Sequence, residues 1–433
     1  MKTLMRIMLA LIVLAVVTIV AMIWIPVQHT ASKALSESSS AVTVARGEYV
    51  TRASDCMACH TTDEGQPFAG GRKIESPLGT IYSTNITPDN ETGIGAYSLD
   101  DFRSALYDGL RKDGAHLYPA MPYENFRFLS EADVQSMYLY FMQGVPAVHS
   151  VTPQTELTFP FSQRWGLRAW NWLVLQDPQF KSVSDDAHIN RGAYLVQGPA
   201  HCAACHSPRN LVMAQDGVSE DNPAFLTGGN VAGWSVPELR SKDSVAAQWS
   251  TQQMANYLAT GRNAYATSVG EMSLVVEHSL QYLTDEDNLA IAAYLTYLSA
   301  SSDAGVLSTQ SHIMPTDTER LLTSADPSMP LGPRLYLDNC AGCHAVDGRG
   351  AAEIFPVLDG NALVTGDSAT GLLHIILHGA ELPSTERRPA KLRMQGHAWR
   401  LNDEEVAALA TFVRQAWHNQ AAEVSASAVQ PLR

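Results

Sequence analysis

The most constraining feature of this 433-residue chain is the arrangement of its six cysteines. They form three pairs with two residues between the partners, and a histidine directly follows each pair, in the strings CMACH, CAACH and CAGCH. No cysteine lies outside these strings. This placement argues against a framework of three disulfides, whereas C-x-x-C-H is the attachment pattern of haem c.

Haem attachment accounts for every residue type in the pattern. Two thiols one helical turn apart can add to the two vinyl groups of one porphyrin edge, and the adjoining imidazole then reaches the iron. The predicted cofactor-binding cysteines are Cys56, Cys59, Cys202, Cys205, Cys340 and Cys343. The predicted proximal iron ligands are His60, His206 and His344. Pro67, Pro208 and Pro356 follow the three motifs and are candidates for the carbonyl that accepts the second imidazole N–H.

Two other readings of a C-x-x-C pair need consideration. Structural zinc takes four ligands, commonly from two nearby pairs. Here the pairs lie 146 and 138 residues apart, and each has only one adjoining histidine. A thioredoxin-like redox pair would occur once, in a βαβ context, and not three times. Both readings are therefore disfavoured.

The chain around the three motifs repeats. An Arg-Gly-x-Tyr sequence opens a short helix before the first two motifs, at Arg46 and Arg191. A polar capping residue followed by acidic residues begins an amphipathic helix late in each repeat. These closing segments are LSEADVQSMYLYFM, LTDEDNLAIAAYLTYL and LNDEEVAALATFVRQAW.

A helix, a C-x-x-C-H motif, a loop and a closing helix together predict a class I cytochrome c domain. The expected fold is all-α, with three tandem class I cytochrome c domains after an N-terminal transmembrane helix. The expected segments are an anchor and linker at 1–40, domain 1 at 41–180, domain 2 at 181–310, and a linker with domain 3 at 311–433.

Class I haem takes a sixth ligand, usually a methionine sulfur, which raises the reduction potential. In each repeat the candidate is the methionine upstream of the closing helix. These candidates are Met121, Met272 and Met394. Gln395 stands where proline is usual beside the third ligand, and His397 lies close by. The remaining methionines are interpreted as core or linker residues.

The N-terminus carries Lys2 and Arg6 before an apolar run from Ile7 to Ile25. Nineteen helical residues would span roughly 28 Å, which is close to the hydrocarbon thickness of a bilayer. We expect a single N-terminal anchor in the bacterial inner membrane, with the haem domains in the periplasm. The alternative is removal as a signal peptide near Ala34.

The acidic composition excludes one class of partner. The formal net charge is −15, so there is no basic excess to neutralise the phosphates of a nucleic acid. No catalytic triad, phosphate-binding loop or open metal site is recognisable, so we expect no catalytic site in this chain.

Longer stretches resemble the three-haem cytochrome c subunits of membrane-bound bacterial dehydrogenases of the alcohol, gluconate, fructose and sorbitol types. The resemblance covers roughly residues 41–418. It rests on SPLGTIYSTNITPDNETGIG at 76–95, LYPAMPY at 117–123, LTGGNVAGW at 226–234 and VVEHSLQYLTDED at 275–287.

This resemblance implies a membrane-anchored triheme electron relay with three covalently bound haem c groups. It implies a large dehydrogenase subunit as partner, carrying flavin, pyrroloquinoline quinone or a molybdenum cofactor, and a small subunit. Ubiquinone or the respiratory chain would accept the electrons. The alternative is a free-standing periplasmic carrier linked to a terminal oxidase.

Overall fold

The computed structural model describes residues 2–24, 29–33, 41–231, 233–299 and 314–433. The chain divides into two compact units. Unit 1 consists of Met1–Thr51, Cys59–Lys181 and Asn210–Ala214. Unit 2 consists of Arg52–Ala58, Ser182–Arg209 and Gln215–Arg433. The expected boundary at residue 310 and the alternative cleavage point at Ala34 lie outside the described residues.

Most of the regular structure in the described ranges is helical. The first ten helices are α1 (Lys2–Trp24), α2 (Val44–Ala53), α3 (Cys56–His60), α4 (Leu99–Asp108), α5 (Tyr123–Phe126), α6 (Glu131–Gln143), α7 (Gly166–Val174), α8 (Ala187–Gln197), α9 (Ala203–His206) and α10 (Val245–Gln248). The others are α11 (Thr251–Thr260), α12 (Glu271–His278), α13 (Asp285–Leu298), α14 (Asp317–Ser324), α15 (Leu331–Asn339), α16 (Ala341–His344), α17 (Ala362–Thr365), α18 (Thr370–His378), α19 (Asp403–Gln415) and α20 (Ala426–Val429). Short 3₁₀ turns cover Leu280–Tyr282 and Gln430–Leu432.

The expectation of an all-α fold is wrong, because three small antiparallel sheets accompany the helices. Their strands are β1 (Lys73–Ser76), β2 (Gly79–Tyr82), β3 (Glu156–Leu157), β4 (Gly229–Val231), β5 (Trp234–Val236), β6 (Gly379–Glu381) and β7 (Arg393–Gln395). The sheet orders are β1-β2-β3, β4-β5 and β6-β7. Strands of two to four residues are too short to show an alternating hydrophobic pattern, so the sequence did not reveal them.

The expectation of a transmembrane helix is also wrong. The inner-membrane location through a single N-terminal anchor, which depended on that helix, is wrong with it. Among the helices that the structure describes, none is both long and apolar enough to cross a membrane. Helix α1 covers Lys2–Trp24, and the cations Lys2 and Arg6 lie in its first two turns.

The three closing helices begin where their capping residues predict. The side chain of the residue before each helix accepts the backbone N–H three positions later, at Ser130 before α6, Thr284 before α13 and Asn402 before α19. Acidic residues fill the first turn of each helix, where they complement the positive end of the helix dipole.

A close helix crossing recurs three times, where a glycine near the start of one helix packs on the closing helix. The crossings are α2 with α6 in unit 1, and α8 with α13 and α15 with α19 in unit 2. A Cβ on Gly192 would overlap the carbonyl oxygen of Ala290 and lie 2.8 Å from Tyr294 Cβ. Gly47 meets Tyr140 Cβ at the same 2.8 Å. Only glycine permits this approach of the two backbones.

We predict that Gly192→Ala destabilises the protein, because the added methyl group must push α8 away from α13. The expected loss is about 1–3 kcal/mol of the free energy of unfolding, measured by chemical denaturation followed by far-UV circular dichroism. Gly166→Ala is the control, because a Cβ at that helix start meets nothing within 4 Å. Equal stability of the two variants would contradict the crossing.

Candidate haem sites

Each C-x-x-C-H motif ends in one short helical turn. Helix α3 covers all of CMACH, whereas α9 and α16 begin one residue after the first cysteine of their motifs. The helical turn places the two cysteines of a pair on the same side of the segment, as a porphyrin edge with two vinyl groups requires. None of the six cysteines, all of which are described, forms a disulfide.

The proximal histidines share one hydrogen bond, between the imidazole Nδ1 and a backbone carbonyl oxygen. The pairs are His60 with Thr84 (2.6 Å), His206 with Pro237 (2.8 Å) and His344 with Pro356 (3.2 Å). A carbonyl can only accept, so Nδ1 carries the proton and Nε2 has the lone pair that binds a metal. Burial lowers the pKa of all three imidazoles, which favours this neutral form.

A second shared bond fixes the backbone of each histidine. The carbonyl oxygen of the histidine accepts the N–H of a later glycine, and each of these glycines has a left-handed conformation. The donors are Gly70 to His60 (2.8 Å, φ 72°), Gly228 to His206 (2.7 Å, φ 96°) and Gly350 to His344 (3.0 Å, φ 60°). The chain thus turns back on each motif, and residues on both sides of this turn hold the imidazole.

The segment that supplies the acceptor carbonyl is itself tied to the turn. The residue two positions after each acceptor donates its backbone N–H to a carbonyl oxygen in the turn. That oxygen belongs to the residue two positions before the left-handed glycine. These bonds join Ile86 to Phe68 (2.9 Å), Leu239 to Leu226 (2.8 Å) and Leu358 to Gly348 (2.7 Å). The three histidines therefore sit in the same backbone frame, although their loops differ in length.

Only one of the three acceptors is a proline expected from the sequence. Pro356 accepts from His344, but Thr84 and Pro237 take the places suggested for Pro67 and Pro208. The reason is a hairpin in each of the first two repeats, β1–β2 and β4–β5, after which the acceptor follows within two residues. The third repeat lacks this hairpin, and comparing the three loop lengths could have revealed the insertions.

The three predicted methionine ligands lie in different local structures. Met121 lies in a turn before α5, Met272 in the first turn of α12, and Met394 at the centre of β7, opposite Ala380. All three side chains are half-buried. Each precedes the closing helix of its repeat, as the sequence analysis expected, while rivals such as Met137 are fully packed in the core. Their role as iron ligands stays a prediction.

In the second repeat, Cys202, Cys205, His206 and Met272 all fall in unit 2. Trp234, three residues before the acceptor Pro237, packs on Gly270, where a Cβ would lie 2.7 Å from the Trp234 Cε2 atom. The segment that carries the acceptor of His206 therefore contacts the segment that leads to Met272. Of the first set, Cys59, His60 and Met121 fall in unit 1 and Cys56 in unit 2. The third set lies entirely in unit 2.

The environment of the second cysteine pair disfavours the thiolate form. Burial raises the pKa of Cys202 to about 12 and that of Cys205 to about 11. Reactive or metal-binding thiolates need the opposite shift. Across the described ranges, no three His, Cys, Asp or Glu side chains cluster as a zinc site would require. The residues present thus fit haem c, with cysteines for attachment and neutral imidazoles for the iron.

The third repeat is similar to a known family. The cytochrome c family model matches residues 330–417. The expectation of three tandem class I cytochrome c domains is therefore wrong, since this model finds one such domain. In the first two repeats, a hairpin lengthens the connection from the motif to the acceptor carbonyl. This longer connection distinguishes these repeats from the third one.

Longer similarity extends over nearly the whole chain. The gluconate 2-dehydrogenase cytochrome c subunit of Pantoea cypripedii is 40% identical over 402 residues, which cover 90% of this chain and 89% of that protein. The cytochrome c subunit of alcohol dehydrogenase (quinone) from Gluconobacter oxydans is 41% identical over 396 residues, covering 90% and 82%. The fructose dehydrogenase cytochrome subunit of Gluconobacter japonicus is 38% identical over 407 residues, again covering 90% and 82%.

By their names, these relatives are the cytochrome c or cytochrome subunits of dehydrogenases. The identity and the coverage are high enough to assign this chain to the same group. The chain belongs to the family of cytochrome c subunits of dehydrogenase complexes.

Proposed function

We propose that this chain binds three haem c groups and relays electrons from a catalytic dehydrogenase subunit to ubiquinone. One haem would be held in each of the repeats 41–180, 181–310 and 311–433. The observation that carries the proposal is the hydrogen bond from Nδ1 of the motif histidine to a carbonyl, which recurs in all three motifs.

In this proposal each residue of a site has its own role. The two cysteines would attach the porphyrin through thioether bonds, and Nε2 of the histidine would bind the iron. Met121, Met272 and Met394 would each supply a sulfur as the sixth ligand, which favours a high reduction potential and electron transfer over substrate chemistry. When bound, each haem supplies one-electron Fe(III)/Fe(II) chemistry. Burial and nearby charge would further adjust the reduction potential of each haem.

The proposed partner and acceptor are supported by analogy with the relatives. Their names include gluconate, alcohol and fructose dehydrogenases, and one name includes quinone. We therefore place substrate oxidation on a separate large subunit with flavin, pyrroloquinoline quinone or a molybdenum cofactor, accompanied by a small subunit. The cytochrome chain receives the electrons one at a time and delivers them to ubiquinone.

The haem content of a cysteine variant tests the attachment sites. Replacing Cys340 and Cys343 by serine should reduce the covalently bound haem from three to two per chain, because one porphyrin loses both thioether bonds. The measurement is the haemochrome spectrum of the denatured protein in alkaline pyridine. An unchanged haem content would exclude the third site.

A methionine variant tests the sixth ligand of the first site. Met121→Leu should give one high-spin haem that binds carbon monoxide when reduced, because leucine leaves the iron without its sixth ligand. Met137→Leu is the matched control, since Met137 is a buried core residue of α6 in the same unit. If Met121→Leu binds no carbon monoxide, or if both variants bind it equally, the assignment of Met121 fails.

Isolation of the native assembly tests the relay. A tagged copy of the chain should co-purify with a large subunit that contains an organic or molybdenum cofactor. Gluconate, ethanol, fructose and aldehydes would then be tried as reductants, and one of them should reduce all three haems. A three-haem chain that purifies alone and that no substrate reduces would favour a free-standing carrier.

A further inference from the structure

The loop that leads to Met394 contacts the second repeat at several points. This 382–392 loop joins β6 to β7, and its two ends are bonded from Leu382 N to Leu392 O at 2.9 Å. Within the loop, the hydroxyl of Ser384 donates to the carbonyl of Pro389 at 3.0 Å. The loop is thus a closed, ordered turn that ends two residues before Met394.

Glu277 of α12 holds the loop at both ends. One carboxylate oxygen accepts the backbone N–H of Ser384 at 2.6 Å and lies 3.2 Å from the ammonium nitrogen of Lys391. The Glu277 side chain is 17% exposed, so solvent does little to replace these bonds. Charge-assisted bonds of this kind are the stronger class of hydrogen bond. Glu277 also lies on the short helix that carries Met272.

Other residues of the second repeat reinforce this attachment. The buried Arg262 donates to the carbonyl of Ala390 at 2.8 Å. Gln281 accepts the backbone N–H of Glu386 at 3.0 Å. Pro383 packs directly against Gly261, whose left-handed backbone leaves no room for a side chain. All of these contacts lie within unit 2.

Met394 is held differently on its two sides. Its three-residue strand pairs with β6, and after the strand the backbone N–H groups of His397 and Ala398 donate to the carbonyl oxygens of Ile376 (2.8 Å) and Leu377 (3.0 Å) in α18. Before the strand, the 382–392 loop is what holds Met394, so its position on that side depends on what holds the loop. We infer that Glu277 is a positioning residue for Met394, through which the second repeat fixes the sixth ligand of the third haem. This inference rests on the proposed role of Met394.

The experiment uses the reduced full-length holoprotein with carbon-13 in its methionine methyl groups. A methionine bound to haem iron gives a methyl resonance shifted strongly upfield by the porphyrin ring current, so three such resonances are expected. Met272→Leu and Met394→Leu each remove one resonance and thereby assign it. A redox titration of the same samples gives the reduction potentials of the haems.

Three substitutions then test the contact. Glu277→Ala should broaden or remove the Met394 resonance, lower the potential of the third haem, and allow about one carbon monoxide to bind per chain. Glu277→Gln should restore most of the resonance, because its amide oxygen still accepts the Ser384 N–H. Arg387→Gln is the control. Arg387 lies in the same loop and forms an ion pair with Asp285 of α13. The substitution breaks this pair, but both side chains are more than half exposed, so the pair contributes little to stability.

The outcomes separate this inference from the proposed function. If Met394→Leu leaves all three shifted resonances in place, Met394 is not a ligand and the site assignment itself fails. If Met394→Leu removes one resonance but Glu277→Ala leaves that resonance and the potentials unchanged, the positioning role is overturned. An equal loss in Glu277→Ala and Arg387→Gln would also overturn it, because general loosening of the loop would then explain the result.

Discussion

In each of the three motifs, a hydrogen bond from the imidazole Nδ1 to a backbone carbonyl holds the histidine in place. It selects one tautomer, directs Nε2 away from the protein backbone, and joins the end of each C-x-x-C-H motif to a segment 12 to 31 residues further along. The loop between them must close for the bond to form. The left-handed glycine and the bond two residues beyond the acceptor are the means by which it closes.

Around this frame, the three repeats share a helix crossing but differ in how they secure it. In the first two repeats an arginine just before the crossing glycine pairs with an acidic residue in the first turn of the closing helix. These pairs are Arg46 with Asp133 and Arg191 with Asp287, both at 2.7 Å. In the third repeat Leu331 occupies the arginine position, and Glu405 instead completes a capping box with Asn402. The third crossing is correspondingly more apolar.

Much of this arrangement was predictable from local sequence. The three motifs, the closing helices and their caps depend on residues close together in the chain, so Ser130, Thr284 and Asn402 marked helix starts correctly. The acceptors Thr84 and Pro237 were missed because they lie beyond hairpins whose strands are too short for periodicity to reveal. The expectation of a membrane-spanning helix came from hydropathy alone, and no helix in the described residues is both long and apolar enough to cross a membrane. The 382–392 loop depends on contacts between repeats, which no local pattern encodes.

We propose that the three motifs, which share a backbone frame, each hold one covalently attached haem. Mass spectrometry of the intact, acid-denatured protein tests this, because thioether bonds survive unfolding whereas a non-covalent cofactor is lost. The expected mass exceeds that of the polypeptide by three haems, with one haem on each peptide that contains a motif. A mass equal to the bare polypeptide, or a motif peptide without haem in fully loaded protein, would contradict it.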